Sequence, residues 1–211
     1  NAFYQGTNVG EALWVLVDGS PKDRVIKLTG SGSSWSVDTQ FGSDSTKNGS
    51  AELPSSNITG VTFLNNTLFV IGSAGYGDPT LYELNPVTGA EVNSYNLCSG
   101  GGMMGGGMMG GNSMCSPPGG LANDGTDLIA TSSNDERFWF INTNGEVQNE
   151  SMSQYALGGA NAMDYIQSDK SYWTAKGSSI QNWVSPFGNI NEIWPADSYN
   201  MGSPNGSLAS L

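Results

Sequence analysis

The sequence predicts an all-β fold, and three observations support this prediction. Short apolar runs alternate with turn residues along most of the chain, which is typical of strands. Serine, glycine and asparagine interrupt every candidate helix. A unit of four short strands, first seen at residues 58–97, also recurs from residue 118.

The repeat is defined by its turns. In its first copy, the pair Asn65-Asn66 separates two apolar runs, and a turn ending in Gly89 separates the third and fourth predicted strands. In its second copy, Gly125 and Gly145 stand at the corresponding turns. Asparagine and glycine tolerate positive φ, so these pairs favour tight hairpins. Four strands in a period of about 40–50 residues are typical of propeller blades.

The sequence therefore predicts a single β-propeller domain over residues 1–211, built from about four four-stranded antiparallel blades. The predicted blades cover residues of about 11–41, 58–97, 118–155 and 160–195, with an insertion at 98–115.

Blade one contains a strand at residues 11–17 that is apolar on both faces, as expected of a strand packed between two layers. Alternating strands follow at 24–28 and 34–38, and the polar segment 42–56 predicts a surface loop. An opening strand is not evident, unless residues 2–4 supply it.

In blade two the early strands are apolar and the last, residues 91–96, is polar. We interpret this gradient as the change from propeller axis to rim. The fourth blade keeps the spacing of the repeat, but its residues match less well.

The two ends of the chain offer a way to close the ring. Residues 203–211 are similar to 116–124, the opening strand of blade three. A C-terminal strand could enter blade one of its own chain, or blade one of the next copy, which would build a head-to-tail filament. Alternatively, residues 2–4 complete blade one. Because the chain begins at Asn1, we expect either a removed signal peptide or a fragment of a longer chain.

Composition limits the partners. The formal charge is −12, with 7 Lys and Arg against 19 Asp and Glu, which argues against nucleic acid or an anionic membrane surface. No apolar run approaches the roughly 20 residues of a spanning helix, so we expect no membrane insertion.

The insertion is flanked by the only two cysteines, Cys98 and Cys115, which predict a disulfide. Five of the eight methionines lie between them, on a glycine-rich chain: Met103, Met104, Met108, Met109 and Met114. Methionine repacks easily, which favours an adaptable contact loop. Thioether and thiolate ligands also select Cu(I), so a copper site is the alternative. Because no histidine or nearby acid supports a metal shell, we predict the contact loop and no metal.

Five acceptor sequences for N-glycosylation are present, at Asn48, Asn57, Asn65, Asn149 and Asn205. Together with two cysteines and few lysines, they predict an extracellular or cell-surface location.

Catalytic patterns are scarce. The chain has no histidine, which excludes imidazole acid–base catalysis and the triads that use it. Paired carboxylates of a glycoside-cleaving site are conceivable near strand ends, although aspartate is common in turns. The candidates are Asp124, Asp127, Asp135, Glu136 and Asp164. Residues 123–127 could also offer oxygens to Ca²⁺, but they lack the EF-hand spacing.

Six tryptophans divide into two groups. Trp14, Trp139, Trp173 and Trp183 lie within predicted strands and are expected to fill the spaces between blades. Trp35 and Trp194 are candidates for exposed contacts with sugar or protein.

Residues 81–92, LYELNPVTGAEV, resemble the repeat of the quinoprotein-like and NHL-like β-propeller families. Those repeats often contain a strand, an Asp or Asn, a short turn ending Thr-Gly and a further strand. The resemblance implies an architecture and transfers no catalytic residue. The closing Trp of the quinoprotein repeat does not follow, and quinone-dependent members use larger rings, so no cofactor is expected.

Two classes of function remain at this point. The first is a non-catalytic extracellular propeller that is a structural or adhesive protein-interaction module, or a self-assembling filament subunit. The second is a secreted propeller that binds or cleaves glycans. A methionine-rich copper-binding protein is a further alternative.

Overall fold

The computed structural model describes residues 3–42, 48–74, 78–98, 113–132, 137–152, 160–166, 171–176, 179–183 and 190–195, and the structural statements below concern these. These residues form 17 strands and no helix. The strands make four antiparallel sheets, in each of which chain neighbours pair. The predicted all-β fold with four-stranded propeller blades is confirmed.

We number the sheets as blades one to four. Blade one contains β1 (Phe3–Val9), β2 (Ala12–Val17), β3 (Arg24–Ser31), β4 (Ser34–Val37) and β5 (Ser50–Glu52). Blade two contains β6 (Ile58–Leu64), β7 (Thr67–Ala74), β8 (Asp78–Leu84) and β9 (Glu91–Asn96). Blade three contains β10 (Pro118–Asn123), β11 (Leu128–Ser132), β12 (Arg137–Ile141) and β13 (Val147–Met152). Blade four contains β14 (Ala160–Ile166), β15 (Ser171–Lys176), β16 (Ser179–Trp183) and β17 (Ile190–Pro195).

The opening strands pack one on the next, β1 on β6, β6 on β10 and β10 on β14. Gly60 permits the close approach of β6 to β10, because a Cβ there would overlap the backbone of Leu121. Within blade two, burial falls from the early strands to the last, since residues 68–72 of β7 are buried while β9 is largely exposed. The predicted gradient is thus present in blade two.

Each junction between consecutive blades holds one apolar cluster. Successive residues of a strand belong to different clusters: Leu68 and Val70 face blade one, whereas Phe69 and Ile71 face blade three. Alternate side chains point to opposite faces of a sheet, and here both faces are covered. This explains why residues 68–71 of β7 form an uninterrupted apolar run.

Blade one has its own opening strand. β1 pairs with β2 from Phe3↔Val17 to Val9↔Ala12. The N-terminal residues therefore supply the opening strand, which is longer than the candidate segment 2–4. The segment 203–211 lies outside the described residues, and its predicted role in closure stays a prediction.

The prediction that residues 42–56 form a surface loop is wrong for the second half of this segment. β5 pairs with the part of β3 that β4 leaves open, from Arg24 to Ile26. Ala51 and Leu53 are each only 1% exposed in the cluster between blades one and two. Few of the segment's residues are apolar, but these two fill the junction.

Candidate functional site

The two cysteines are joined. The Cys98–Cys115 disulfide has an S–S distance of 2.05 Å and a Cα–Cα distance of 4.6 Å, which confirms the predicted bond. It lies between β9 and β10, at the end of the blades where β7 leads into β8 and β11 into β12. Both ends of the methionine-rich loop therefore leave the propeller from one point.

Backbone hydrogen bonds secure the base of the loop. Leu97 N donates to Pro79 O at 3.0 Å, and Met114 N donates to Leu97 O at 3.0 Å. The side chains of Leu97 and Met114, 3% and 0% exposed, lie in the cluster between blades two and three. The base is thus part of the propeller core, and its position is set by the blades.

Met114 is therefore a core residue, and its assignment to the contact loop is wrong. Its burial follows from its place one residue before Cys115, where the chain re-enters the blade junction. The other loop methionines, Met103, Met104, Met108 and Met109, lie outside the described residues.

The disulfide also bears on the copper alternative. Cysteine binds metal as a thiolate, and neither sulfur is free to do so while the bond is intact. Within the described ranges no three His, Cys, Asp or Glu side chains gather in one place. A copper site would have to rely on the thioethers of the loop.

The candidate carboxylates Asp124 and Asp127 form a turn. Asp124 Oδ1 accepts the backbone N–H groups of Thr126 and Asp127, each at 2.9 Å. The pKa of Asp127 is raised, first by desolvation and then by the negative charge of Asp124. The two acids share one turn, and Asp164 stands on another strand, β14, opposite Trp173. Asp135 and Glu136 lie outside the described residues.

The candidate glycosylation sites differ in their surroundings. Asn65 is exposed in the hairpin between β6 and β7, at φ 52°, and Asn57 is exposed ahead of β6. Asn48 is also exposed, and its Oδ1 accepts the N–H and hydroxyl of Ser50 at 3.3 and 3.0 Å. Asn149 is on β13, but its side chain is not among those that the structure describes, and Asn205 is outside the described residues.

Two of the four tryptophans that were predicted to fill spaces between blades are shown to do so. Trp14 and Trp139 are 4% and 2% exposed, and Trp14 stacks on Phe63 of blade two with centroids 5.1 Å apart. Trp35 is partly exposed on β4, and its Nε1 donates to Gly32 O at 3.0 Å. Trp173 is partly exposed as well. The structure does not describe the side chains of Trp183 and Trp194.

Three basic residues sit beside an acid or a hydroxyl. Lys27 Nζ lies 2.8 Å from Asp38 Oδ2 and 5.5 Å from the centroid of Trp14. Arg137 bonds to Glu150 at 2.8 Å, and Arg24 Nη2 donates to Ser50 Oγ at 2.7 Å. Lys27 and Arg137 thus each lie beside a carboxylate, whereas Arg24 bonds to a neutral hydroxyl.

Searches of protein families and of curated proteins find no match to this chain. Solved structures do share its fold. A glutaminyl cyclase from Myxococcus xanthus is 12% identical, with a TM-score of 0.55 over 90% of this chain and 71% of its own. A nidogen/laminin complex is 11% identical, with a TM-score of 0.54 over 92% of this chain and 63% of its own. A mitotic checkpoint complex is 11% identical, with a TM-score of 0.50 over 90% of this chain and 51% of its own.

All three matches are β-propellers, and at this identity they show the fold alone. The chain spans about two thirds or less of the nidogen/laminin and checkpoint chains. Among the described residues, no helix is long and apolar enough to cross a membrane.

Proposed function

We propose that the protein is a non-catalytic extracellular β-propeller whose methionine-rich loop binds other proteins. The observation that carries this proposal is the base of the loop. The disulfide and the bonds of Leu97 fix both loop ends at the junction of blades two and three. A bond of this kind persists in oxidising compartments outside the cytosol.

The composition of the loop supports a contact role. Glycine loses much conformational entropy when it is ordered, so ordering this glycine-rich segment on a surface carries a cost that its apolar contacts must offset. Methionine side chains adapt to irregular apolar surfaces. Closure by the disulfide shortens the range that the loop ends can explore and lowers the entropy lost on binding.

The experiment compares two variants of the whole chain. In the loop variant, serine replaces Met103, Met104, Met108 and Met109. In the control variant, serine replaces Val87 and Val92, two valines of blade two that are 65% and 62% exposed. Retention is measured on alkyl-coated and hydrophilic sensor surfaces. Burial of even one methionine contributes about 1.5 kcal/mol or more, so we expect at least a roughly tenfold weaker retention on the alkyl surface for the loop variant alone. An equal loss in the valine control would contradict the proposal.

The same loop variant tests the copper alternative. Cu(I) is titrated in competition with a chelator of known affinity, with the cysteines kept oxidised. Tight binding that disappears with the four methionines would replace the contact role with a metal role. The glycan alternative is tested on an array with Trp35→Ala, because part of that indole is exposed. Binding that depends on Trp35 would favour a lectin.

A further inference from the structure

Two asparagine–glycine pairs lie within the described residues. Asn48-Gly49 comes directly before β5, and Asn144-Gly145 stands in the turn between β12 and β13. Asparagine is one of the less durable side chains. A glycine that follows it has no Cβ to hinder the backbone nitrogen, which can therefore approach the asparagine side chain. Each pair is thus a place where the chain can react with itself.

The reaction is a cyclisation followed by hydrolysis. The backbone nitrogen of the glycine loses its proton and forms a bond to Cγ of the asparagine, and the side-chain amide leaves as ammonia. Water then opens either of the two carbonyl groups of the resulting five-membered imide. One product is aspartate. The other is isoaspartate, in which the backbone runs through the former side chain and is longer by one atom.

Asn48 is held away from this reaction. Its Oδ1 accepts the N–H of Ser50 at 3.3 Å and the hydroxyl of Ser50 at 3.0 Å. Gly49 is buried, and its N–H donates at 2.9 Å to the carbonyl of Phe41, a core residue that is 1% exposed. Attack at Asn48 therefore requires the loss of its side-chain bonds and the movement of a buried segment.

The surroundings of Asn144 are more open. Asn144 is exposed, and its side chain makes no hydrogen bond to another described residue. Gly145 is only partly buried, and its N–H donates at 3.0 Å to the carbonyl of Asn142 within the same turn. Opening of this one turn frees the nitrogen, and such local opening costs less free energy than opening of a packed core.

We propose that Asn144 is a modification site, at which the chain converts spontaneously to aspartate and isoaspartate through an imide with Gly145. The reaction needs water and no other reactant. The site is separate from the cysteines and the loop methionines, so the inference goes beyond the contact role proposed above and does not depend on it.

The isoaspartate product should loosen the contact between blades two and three. Asn142 Oδ1 accepts the N–H groups of Asn144 at 3.0 Å and Glu146 at 2.9 Å, so the turn is tied on both sides of the reacting bond. Gly145 lies so close to Tyr95 that a Cβ would overlap it. An added backbone atom must therefore break these bonds or shift Gly145 against Tyr95. The aspartate product adds a charge but leaves the backbone length unchanged.

The first test follows both pairs in one sample of the whole chain, with Asn48 as the internal control. The chain is made in a host that attaches no glycan to Asn48, and it is incubated at mildly alkaline pH, which favours loss of the amide proton. Peptide mapping by mass spectrometry then measures each conversion. One buried hydrogen bond more at Asn48 should make Asn144 react at least roughly tenfold faster.

Incubation in urea shows whether the fold causes this difference. Both turns are then unfolded, so the two conversion rates should become similar. Conversion in the folded chain that is as fast at Asn48 as at Asn144 overturns the proposal. An Asn144 that stays an amide in the folded chain while it converts in urea overturns it as well.

The second test concerns the effect on the fold. The isoaspartate form is isolated by ion exchange and compared with Asn144→Asp, which has the same charge and a backbone of normal length. We expect the isoaspartate form to melt at a lower temperature, and the amides of Gly145 and Glu146 to exchange faster. Equal melting and equal exchange in the two forms would overturn the predicted loosening of the blade contact.

Discussion

Gly145 of blade three lies so close to Tyr95 of blade two that a Cβ at Gly145 would overlap the Tyr95 side chain. The same relationship recurs one blade earlier, where a Cβ at Gly89 would overlap Ala51 and approach the ring of Phe41. Both glycines have positive φ, 75° and 68°. Each therefore shapes the turn of its own blade and lets that turn pack on the preceding blade.

We expect Gly145→Ala and Gly89→Ala to destabilise the fold for two reasons. Positive φ costs an L-residue about 1–2 kcal/mol. Steric overlap in a packed interior costs a further ~1–3 kcal/mol. The free energy of unfolding, measured by urea denaturation, should fall by the combined amount in each variant.

Gly32→Ala separates the two effects. Gly32 also has positive φ, 57°, but no atom lies within 4 Å of the position of its Cβ. It should lose only the backbone contribution. Equal losses in all three variants would show that the contact with the preceding blade has no energetic weight.

These glycines show what the sequence can predict. Tight turns were predictable because asparagine and glycine tolerate positive φ, and Asn65 and Asn66 adopt φ of 52° and 61°. The second role of Gly145, against Tyr95 of another blade, leaves no local signal. It depends on how consecutive repeats stack.

The opening strand of blade one and the methionine-rich loop show the same difference between features with a local sequence signal and features that depend on packing. The opening strand of blade one reads FYQGTNV, which lacks apolar alternation, so its pairing with β2 was not evident from pattern. The cysteine pair was predictable because the chain has only two cysteines. The burial of Met114 was not, because it depends on the position of Leu97 on the neighbouring segment.

Asp23 links blades one and two, and its removal should weaken their junction. The side chain is 2% exposed, and its two oxygens accept the N–H groups of Ile58 at 3.0 Å and Gly19 at 3.3 Å. Asp23→Ala leaves both donors without this acceptor, at a cost of about 1–3 kcal/mol for the buried N–H of Ile58 and less for the part-buried N–H of Gly19. Asp23→Asn keeps one acceptor oxygen and should lose less stability in urea denaturation. Equal losses of stability in the two variants would contradict the role of the Asp23 oxygens as acceptors for these N–H groups.

Asp38 and Asp127 should affect the pH dependence of stability with opposite sign. The hydrogen bond from Lys27 lowers the pKa of Asp38 below 3.8, so its stabilising effect is present above that pH and is lost as the pH falls through the folded pKa. Desolvation raises the pKa of Asp127 above 3.8, so its ionised form destabilises the fold above the folded pKa.

The corresponding amide variants check this sign. At pH 7, Asp38→Asn should lower the melting temperature and Asp127→Asn should raise it. Repeated at pH 3, both differences should shrink, because the aspartates are then closer to their neutral forms. If the melting temperature shifts in the same direction in both variants at pH 7, the two aspartates do not have opposite effects on stability.

Loss of the disulfide should destabilise the propeller. Closing a loop of this length contributes about 3 kcal/mol in the chain-entropy model, so Cys98→Ser with Cys115→Ser should lose about that much in urea denaturation. Because Leu97 and Met114 join the core beside the cysteines, the loss should be accompanied by faster hydrogen exchange at Leu97 and Met114. Thiol labelling of the unreduced, denatured chain should find neither cysteine. Stoichiometric labelling of both, or unchanged exchange in the serine variant, would show that the bond does not hold the base of the loop in solution.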